Sequence, residues 1–342
     1  MRSIDQLPRV ELGHLPTPLE EAPRLAQSLG LDGLWIKRDD LTGLALGGNK
    51  ARKLEFVLGE ALAEGADTLI TSAGLQSNRA RMTAAACRRV GLDCVLLLCS
   101  NYGVRAPIGN LMLDEVFGAD IRFSSAPDSY SPQALAEAEA IAAELARASR
   151  RAYLTDVGGR PEPLGEVGYY VGAFELVEQC RAAGFEPGAV LLACGSGSQQ
   201  AGVLVGLGAL GLPTHVVGIS LESEAGDRPA VVARLATQLA EWLELAAGVD
   251  AEDVVVDDHA SAAGHGPPDA AAVAAVRLAA QREGLLLDPI YMGKVVAAVP
   301  DLLRRGLISA DQPVVIWHTG GAPAIFMHTD AFSQTASLAA VG

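Results

Sequence analysis

The chain has 342 residues, with 26 Lys and Arg against 41 Asp and Glu and a formal net charge of −15. That acidity repels phosphate backbones and anionic lipid, and no basic run offsets it locally, which argues against nucleic-acid and membrane-surface roles. Half of the residues are hydrophobic but only 5% are aromatic, which excludes whole-chain disorder and predicts an aliphatic, alanine-rich core.

The opening stretch MRSIDQLPRVELGH carries charges and a proline where a signal peptide needs an apolar run, and no segment reaches a membrane-spanning length. Cys87, Cys94, Cys99, Cys180 and Cys194 form no CxxC pair and sit in apolar surroundings, as buried thiols do in a reducing compartment. The histidines lack HExxH spacing, so no metal site is expected. A soluble cytoplasmic protein is the expectation.

From residue 32 onward a short apolar run repeatedly precedes a longer helical pattern, with Gly, Pro, Asn or Ser at the joints. This predicts an α/β fold with mostly parallel sheets covered by helices. Strands are expected at 34–38, 68–73, 94–99, 120–124, 152–156, 189–194, 215–221 and 313–318. Helices are expected at 50–64, 78–90, 109–117, 131–149, 165–183, 199–210, 228–247, 269–283 and 293–305, long enough to serve as parallel crossovers. The irregular segment 248–268 reads either as a surface excursion or as an active-site loop.

Four segments stand near expected strand ends, where open α/β sheets place ligands. In Gly47-Gly48-Asn49-Lys50 two glycines permit close backbone approach, and a lysine opening the next helix can form a Schiff base if its pKa is lowered. Taken alone, it reads as a solvated surface lysine. Gly74-Leu75-Gln76-Ser77-Asn78 turns a strand into a helix whose first N–H groups attract a carboxylate, or are simply capped by Ser77 or Asn78. Gly195-Ser196-Gly197-Ser198-Gln199 follows an apolar strand and can cradle a phosphate at a helix start, although it lacks full GxGxxG or P-loop spacing. Tyr291 at a loop-to-helix junction is an acid–base candidate or a packing residue, and Thr319 a neutral partner for a ring nitrogen or a turn former.

Together, LPTPLE, WIKRDDLTG, GGNKARKLE, GLQSN, GSGSQQAG, DPIYMGK and HTGGAPAIF, in this order over residues 15–326, resemble the D-cysteine desulfhydrase and 1-aminocyclopropane-1-carboxylate deaminase family of fold-type II pyridoxal 5′-phosphate enzymes. The resemblance implies a two-domain fold akin to tryptophan synthase β chains, with a discontinuous large domain (1–54 and 156–342), a small domain (55–155), a homodimer, and the cofactor between the domains. It implies that Lys50 carries the cofactor and later moves the Cα proton. Asn78 contacts the cofactor's phenolic oxygen, and Gly195, Ser196, Gly197, Ser198 and Gln199 hold its phosphate. Thr319 faces the pyridine nitrogen. Gln76, Ser77 and Asn78 hold the substrate, and Tyr291 acts beside it.

Met292 stands where ring-opening members carry glutamate, which weakens a deaminase reading. Arg79 replaces a usual histidine, Arg160 a small polar residue, and His265 the tyrosine of a Gly-Tyr-Gly segment. These three cationic or titratable side chains point to a substrate with a second anionic group. The expectation is α,β-elimination from a small amino acid, with D-cysteine first. L-cysteate sulfo-lyase, cyclopropane-opening deaminase, β-replacement synthase and a non-catalytic binder are the alternatives from the resemblance. A nicotinamide oxidoreductase is the alternative for the glycine loop alone.

Overall fold

The computed structural model describes residues 2–99, 106–156, 163–221, 226–245, 249–259 and 268–332. Its strands are β1 (Leu19–Glu21), β2 (Leu34–Lys37), β3 (Thr68–Gly74), β4 (Asp93–Cys99), β5 (Asp120–Ser124), β6 (Ala152–Thr155), β7 (Ala189–Cys194), β8 (His215–Ser220), β9 (Val255–Asp257) and β10 (Val314–Trp317). They form a six-stranded sheet in the order β1-β2-β10-β7-β8-β9 and a four-stranded sheet in the order β5-β4-β3-β6. Every pairing is parallel except that of β1 with β2.

The helices are α1 (Pro23–Leu29), α2 (Lys50–Ala63), α3 (Asn78–Val90), α4 (Gly109–Val116), α5 (Pro132–Arg147), α6 (Leu164–Ala182), α7 (Ser198–Ala209), α8 (Arg228–Trp242), α9 (Ala270–Glu283), α10 (Met292–Arg304) and α11 (Thr329–Phe332). Ser77, Ser131 and Asp269 cap the starts of α3, α5 and α9, each side chain accepting a backbone N–H from the first turn. Apolar runs such as LITSA in β3 and CVLLLC in β4 are buried, as parallel strands covered by helices require. Small residues such as Ala51, Ala61, Ala80, Ala84 and Ala86 fill the core, in keeping with the low aromatic content. All five cysteines are buried, and none forms a disulfide.

The expected strands recur with shifts of a residue or so at their ends. Three differences have local causes. The edge strands β1 and β9 have only three residues each, too few for a periodic signal, and they exist because β2 and β8 offer them hydrogen bonds. Thus part of segment 248–268, expected to be irregular, extends the large sheet; its residues 260–267 lie outside the described ones. Helix α1 precedes the region where the alternating pattern begins. Helix α8 stops at Trp242 rather than at 247, and Glu244 just beyond it has a left-handed φ of 59°.

The C-terminal ends of the parallel strands carry the segments singled out above. Gly74-Asn78 follows β3, Gly195-Gln199 follows β7, and Thr319 follows β10, with β7 and β10 hydrogen-bonded neighbours at the centre of the large sheet.

Candidate active site

One cavity of about 1000 Å³ is lined by Lys50, Gln76, Ser77, Asn78, Arg79, Gly195, Ser196, Gly197, Gln199, Tyr291 and Thr319. Ser198 lies just behind the wall, buried. Arg160 and His265 fall outside the described residues.

Lys50 is the first residue of α2, and the turn before it is tightly built. Gly48 has φ +135°, and a Cβ there would sit 3.0 Å from Met82 Sδ and 3.2 Å from the Thr319 carbonyl oxygen, so a side chain is excluded. The Gly48 N–H donates to the Asp39 carbonyl and that of Asn49 to the Thr319 carbonyl, at 2.9 and 3.2 Å. Asn49 Nδ2 donates to Gln199 Oε1 at 2.7 Å, tying the lysine turn to the loop after β7.

Two residues beyond the lysine, Arg52 anchors the helix from inside the protein. Its guanidinium pairs with both oxygens of Asp39, each at 2.8 Å, and reaches Glu175 of α6 at 2.8 Å. Thr17 and Lys37 complete this buried network through Asp39 and Glu175. Parts of LPTPLE and WIKRDDLTG therefore act as a scaffold for α2. Removal of water, with the Lys53 and Arg79 charges nearby, lowers the Lys50 amine to about 8 from its usual 10.5, while Asp156 and Glu166 pull the other way. Roughly a tenth of it is then the free base at neutral pH.

Arg79 is buried. Its guanidinium pairs with Asp156 Oδ2 at 3.0 Å, donates to the Ser72 carbonyl, and lies 5.6 Å from the Tyr130 ring centroid. Lys53 pairs with the other Asp156 oxygen. Burial alone would raise the Asp156 carboxyl, but Arg79 and Lys53 outweigh it and hold it well below the usual carboxylate range. Arg79 thus neither faces solvent nor offers an uncommitted charge to the cavity.

Ser77 Oγ accepts the N–H groups of Arg79 and Ala80 at 3.1 and 3.3 Å, while its own N–H donates to the Gly74 carbonyl. Both readings of this serine coexist: the oxygen caps α3, and its hydroxyl proton remains available to a ligand. The cap engages the Arg79 and Ala80 N–H groups, so these two are not free for a ligand.

Helix α7 starts without a side-chain cap, leaving its first N–H groups open to an anion. Ser198 Oγ and Gln199 Nε2 are buried beside it with no hydrogen-bond partner among the described residues. Orphaned donors at an uncapped helix start fit a phosphate, whose oxygens satisfy them.

Tyr291 is positioned by Asp288, whose carboxylate accepts the N–H groups of Ile290, Tyr291 and Met292 at 2.9, 2.7 and 3.1 Å. Burial and the Asp288 charge raise the Tyr291 phenol, which stays protonated across the physiological range. Thr319 Oγ1 lies 3.3 Å from Met292 Sδ, so the position that carries glutamate in ring-opening members does adjoin Thr319. His318 accepts the Gly320 N–H on Nδ1, which leaves Nε2 to donate to the Leu286 carbonyl, and burial lowers its pKa; it is a neutral prop for the Thr319 turn.

Sequence reasoning missed Asp156, Tyr130 and the segment Ala324–His328, which also bound the cavity or its charges. Tyr130 follows β5 in a short polar loop without a motif. Asp156, directly after β6 with a left-handed φ of 56°, had a signal only in its place at a strand end.

A partly unprotonated amine set across a cavity from an anion cradle, at the C-terminal ends of parallel strands, meets the needs of a phosphorylated aldehyde cofactor. The residues present fit pyridoxal 5′-phosphate, and the protein is a pyridoxal-phosphate-dependent lyase of fold-type II. Residues 10–320 match the family described as pyridoxal-phosphate dependent enzyme, and the chain belongs to it. It is 39% identical over 332 residues to a D-cysteine desulfhydrase of Klebsiella pneumoniae, covering 96% of this chain and 98% of that protein. A second desulfhydrase, from Klebsiella pneumoniae subsp. pneumoniae, is 40% identical with the same coverage. Among solved structures, an ACC deaminase homologue superposes with a TM-score of 0.85 at 33% identity, covering 96% of each chain. A fungal L-serine ammonia-lyase from Rhizomucor miehei shares the fold, with a TM-score of 0.64 at 19% identity, covering 96% of this chain and 99% of that one.

Proposed function

We propose that this lyase eliminates the β substituent of a small amino acid, D-cysteine first, consuming water and releasing a 2-oxo acid, ammonia and hydrogen sulfide. The observation that carries this is the convergence of Lys50, Ser77, Asn78, Tyr291 and Thr319 on one cavity whose far wall is an anion cradle. The bound cofactor supplies an electron sink that acidifies the Cα proton of an amino acid joined to it. Lys50 Nζ, lowered to about 8, takes that proton. Tyr291, held protonated, is the acid towards the leaving sulfur. Ser77 donates its hydroxyl to the substrate carboxylate, aided by Gln76 and Asn78. Gly195, Ser196, Gly197, Ser198 and Gln199 hold the phosphate, and Asn78 and Thr319 hold the two edges of the ring.

Thr319 is neutral, so it withdraws little charge into a ring nitrogen, which favours prompt elimination over transamination. Met292 cannot deliver a proton beside it, which favours elimination over ring opening. The Klebsiella desulfhydrases, similar over nearly their whole length, support D-cysteine as the substrate.

A second reading, a substrate such as cysteate with an additional anionic group, rests on one observation: Lys53 and Arg79 bring two cations to the cavity wall, where they share the carboxylate of Asp156. We place the enzyme in the cytoplasm as a homodimer, with the small domain at 55–155; every strand of the four-stranded sheet falls within that range.

The experiment is a panel of D- and L-amino acids, cysteate included, assayed for 2-oxo acid and sulfide or sulfite. Turnover of D-cysteine with sulfide release, and loss of both turnover and the visible absorbance band in Lys50→Ala, is the expected result. A colourless wild-type protein after incubation with pyridoxal phosphate defeats the proposal, and preference for cysteate selects the second reading.

A further inference from the structure

We infer that Asn110 is a positioning residue of the active site, orienting the Asn78 amide so that its nitrogen faces the cofactor and its oxygen faces away. This rests on the reading of Asn78 as a contact of the cofactor's phenolic oxygen.

Asn110 lies in the first turn of α4 and is 1% exposed. Its backbone N–H donates to Gln76 Oε1 at 2.9 Å. Its side-chain Nδ2 donates to the Gln76 carbonyl at 2.8 Å and to Asn78 Oδ1 at 3.0 Å. Gln76 Nε2 answers by donating to the Ile108 carbonyl at 3.1 Å. The start of α4 is thus laced to both ends of the Gln76-Ser77-Asn78 turn. Gly109 permits the approach: its φ is +59°, and a Cβ there would lie 2.7 Å from Gln76 Oε1 and 2.5 Å from Met327 Sδ.

The chemistry of these contacts leaves one orientation. A backbone carbonyl only accepts, so the Asn110 atom next to the Gln76 carbonyl is its nitrogen. That nitrogen carries two protons, and the second meets Asn78, so the Asn78 atom it meets is the oxygen. Asn78 lines the cavity, and its remaining amide atom, the nitrogen, is then the donor it presents there. A phenolic oxygen that bears negative charge needs a donor, whereas a flipped Asn78 would present an acceptor and repel it. The Asn110 Oδ1 is buried and has no partner among the described residues, so the contacts this side chain makes there are the two donations from Nδ2.

The test compares Asn78→Ala, Asn110→Ala and the double variant by pyridoxal-phosphate affinity of the apoprotein, the visible absorption maximum of the holoenzyme, and kcat and KM separately. Asn110→Ala is expected to weaken cofactor affinity roughly tenfold and to shift the absorption maximum in the direction of Asn78→Ala. The double variant is expected to lose no more than Asn78→Ala alone, because both act through one contact. Losses that multiply, or an unmoved band in Asn110→Ala beside a shifted one in Asn78→Ala, overturn the inference. If Asn78→Ala itself leaves affinity and band unchanged, the assignment of Asn78 fails instead. Should Asn110→Ala not fold, Asn110→Ser, too short to reach Asn78, serves with the same expected and contrary outcomes.

Discussion

Arg79 and Asp156 meet at 3.0 Å beside the cavity, and the second oxygen of the same carboxylate meets Lys53. These three groups, with Glu166, set the charge that Lys50 feels. This is a different role for Arg79 from that of a clamp on an incoming second anion, since its guanidinium is already engaged by Asp156 and by the Ser72 carbonyl.

Asp156 raises the Lys50 amine, while burial, Lys53 and Arg79 lower it. Replacing Asp156 by Asn removes the larger of the two raising charges, Glu166 being the other, and leaves both cations, so the amine pKa is expected to fall below about 8. Competitive acetylation of the apoprotein across pH, read on the peptide carrying Lys50, measures it. A wild-type midpoint near 8 and a lower one in Asp156→Asn are expected; coincident midpoints contradict the charge arrangement.

Ser198 separates cofactor binding from apoprotein stability. Its hydroxyl is buried without a partner among the described residues, so Ser198→Ala is expected to leave the apoprotein as stable or up to about 1 kcal/mol more stable. Pyridoxal phosphate supplies the missing acceptor, so the variant is expected to bind it roughly tenfold more weakly. Thermal melting with and without cofactor reads both: the apoprotein Tm holds or rises while the cofactor-induced increment shrinks. A fall in apoprotein Tm with a full increment contradicts the phosphate assignment.

The network beneath α2 predicts a distinct acid sensitivity. Burial alone would raise the Glu175 carboxyl, but its contacts with Arg52 and Lys37 outweigh this and hold it at about 2, against a usual 4.5. A depressed carboxyl stabilises the fold above its unfolded pKa, so this contribution, roughly 3 kcal/mol, is present above about pH 4.5 and lost as pH falls towards 2. Arg52→Ala leaves Asp39 and Glu175 buried beside an absent partner and is expected to cost about 3–5 kcal/mol at neutral pH. Denaturant midpoints at pH 7 and pH 4 check both statements. With the acid end of the series extended to about pH 2.5, the wild type should lose most of this contribution between pH 4.5 and that end, and Arg52→Ala should lose less over it than the wild type.

How much of this was legible before the structure differs from residue to residue. Ser77, Asn78, Ser198 and Thr319 are legible because each closely follows a short apolar strand, and Lys50 because two glycines precede the helix it opens. Their ordered motifs pointed to the family as well. By contrast, Asp156, Tyr130 and Asn110 carry no local signal, and nothing local marks Arg52, Asp39 and Glu175 as one buried network, because the fold alone brings them together.

The sequence by itself determined the backbone: parallel strands from apolar runs, helices from periodic ones, and turns where glycines and capping residues interrupt the pattern. Those are short-range steric consequences, contained in a few adjacent residues. Only the tertiary structure decided which charges meet and which donor faces the cavity. The lowered Lys50 amine, the Asp156 bridge and the Asn78 orientation arise from water exclusion and through-space contacts between segments far apart in the chain, and no local pattern encodes those distances.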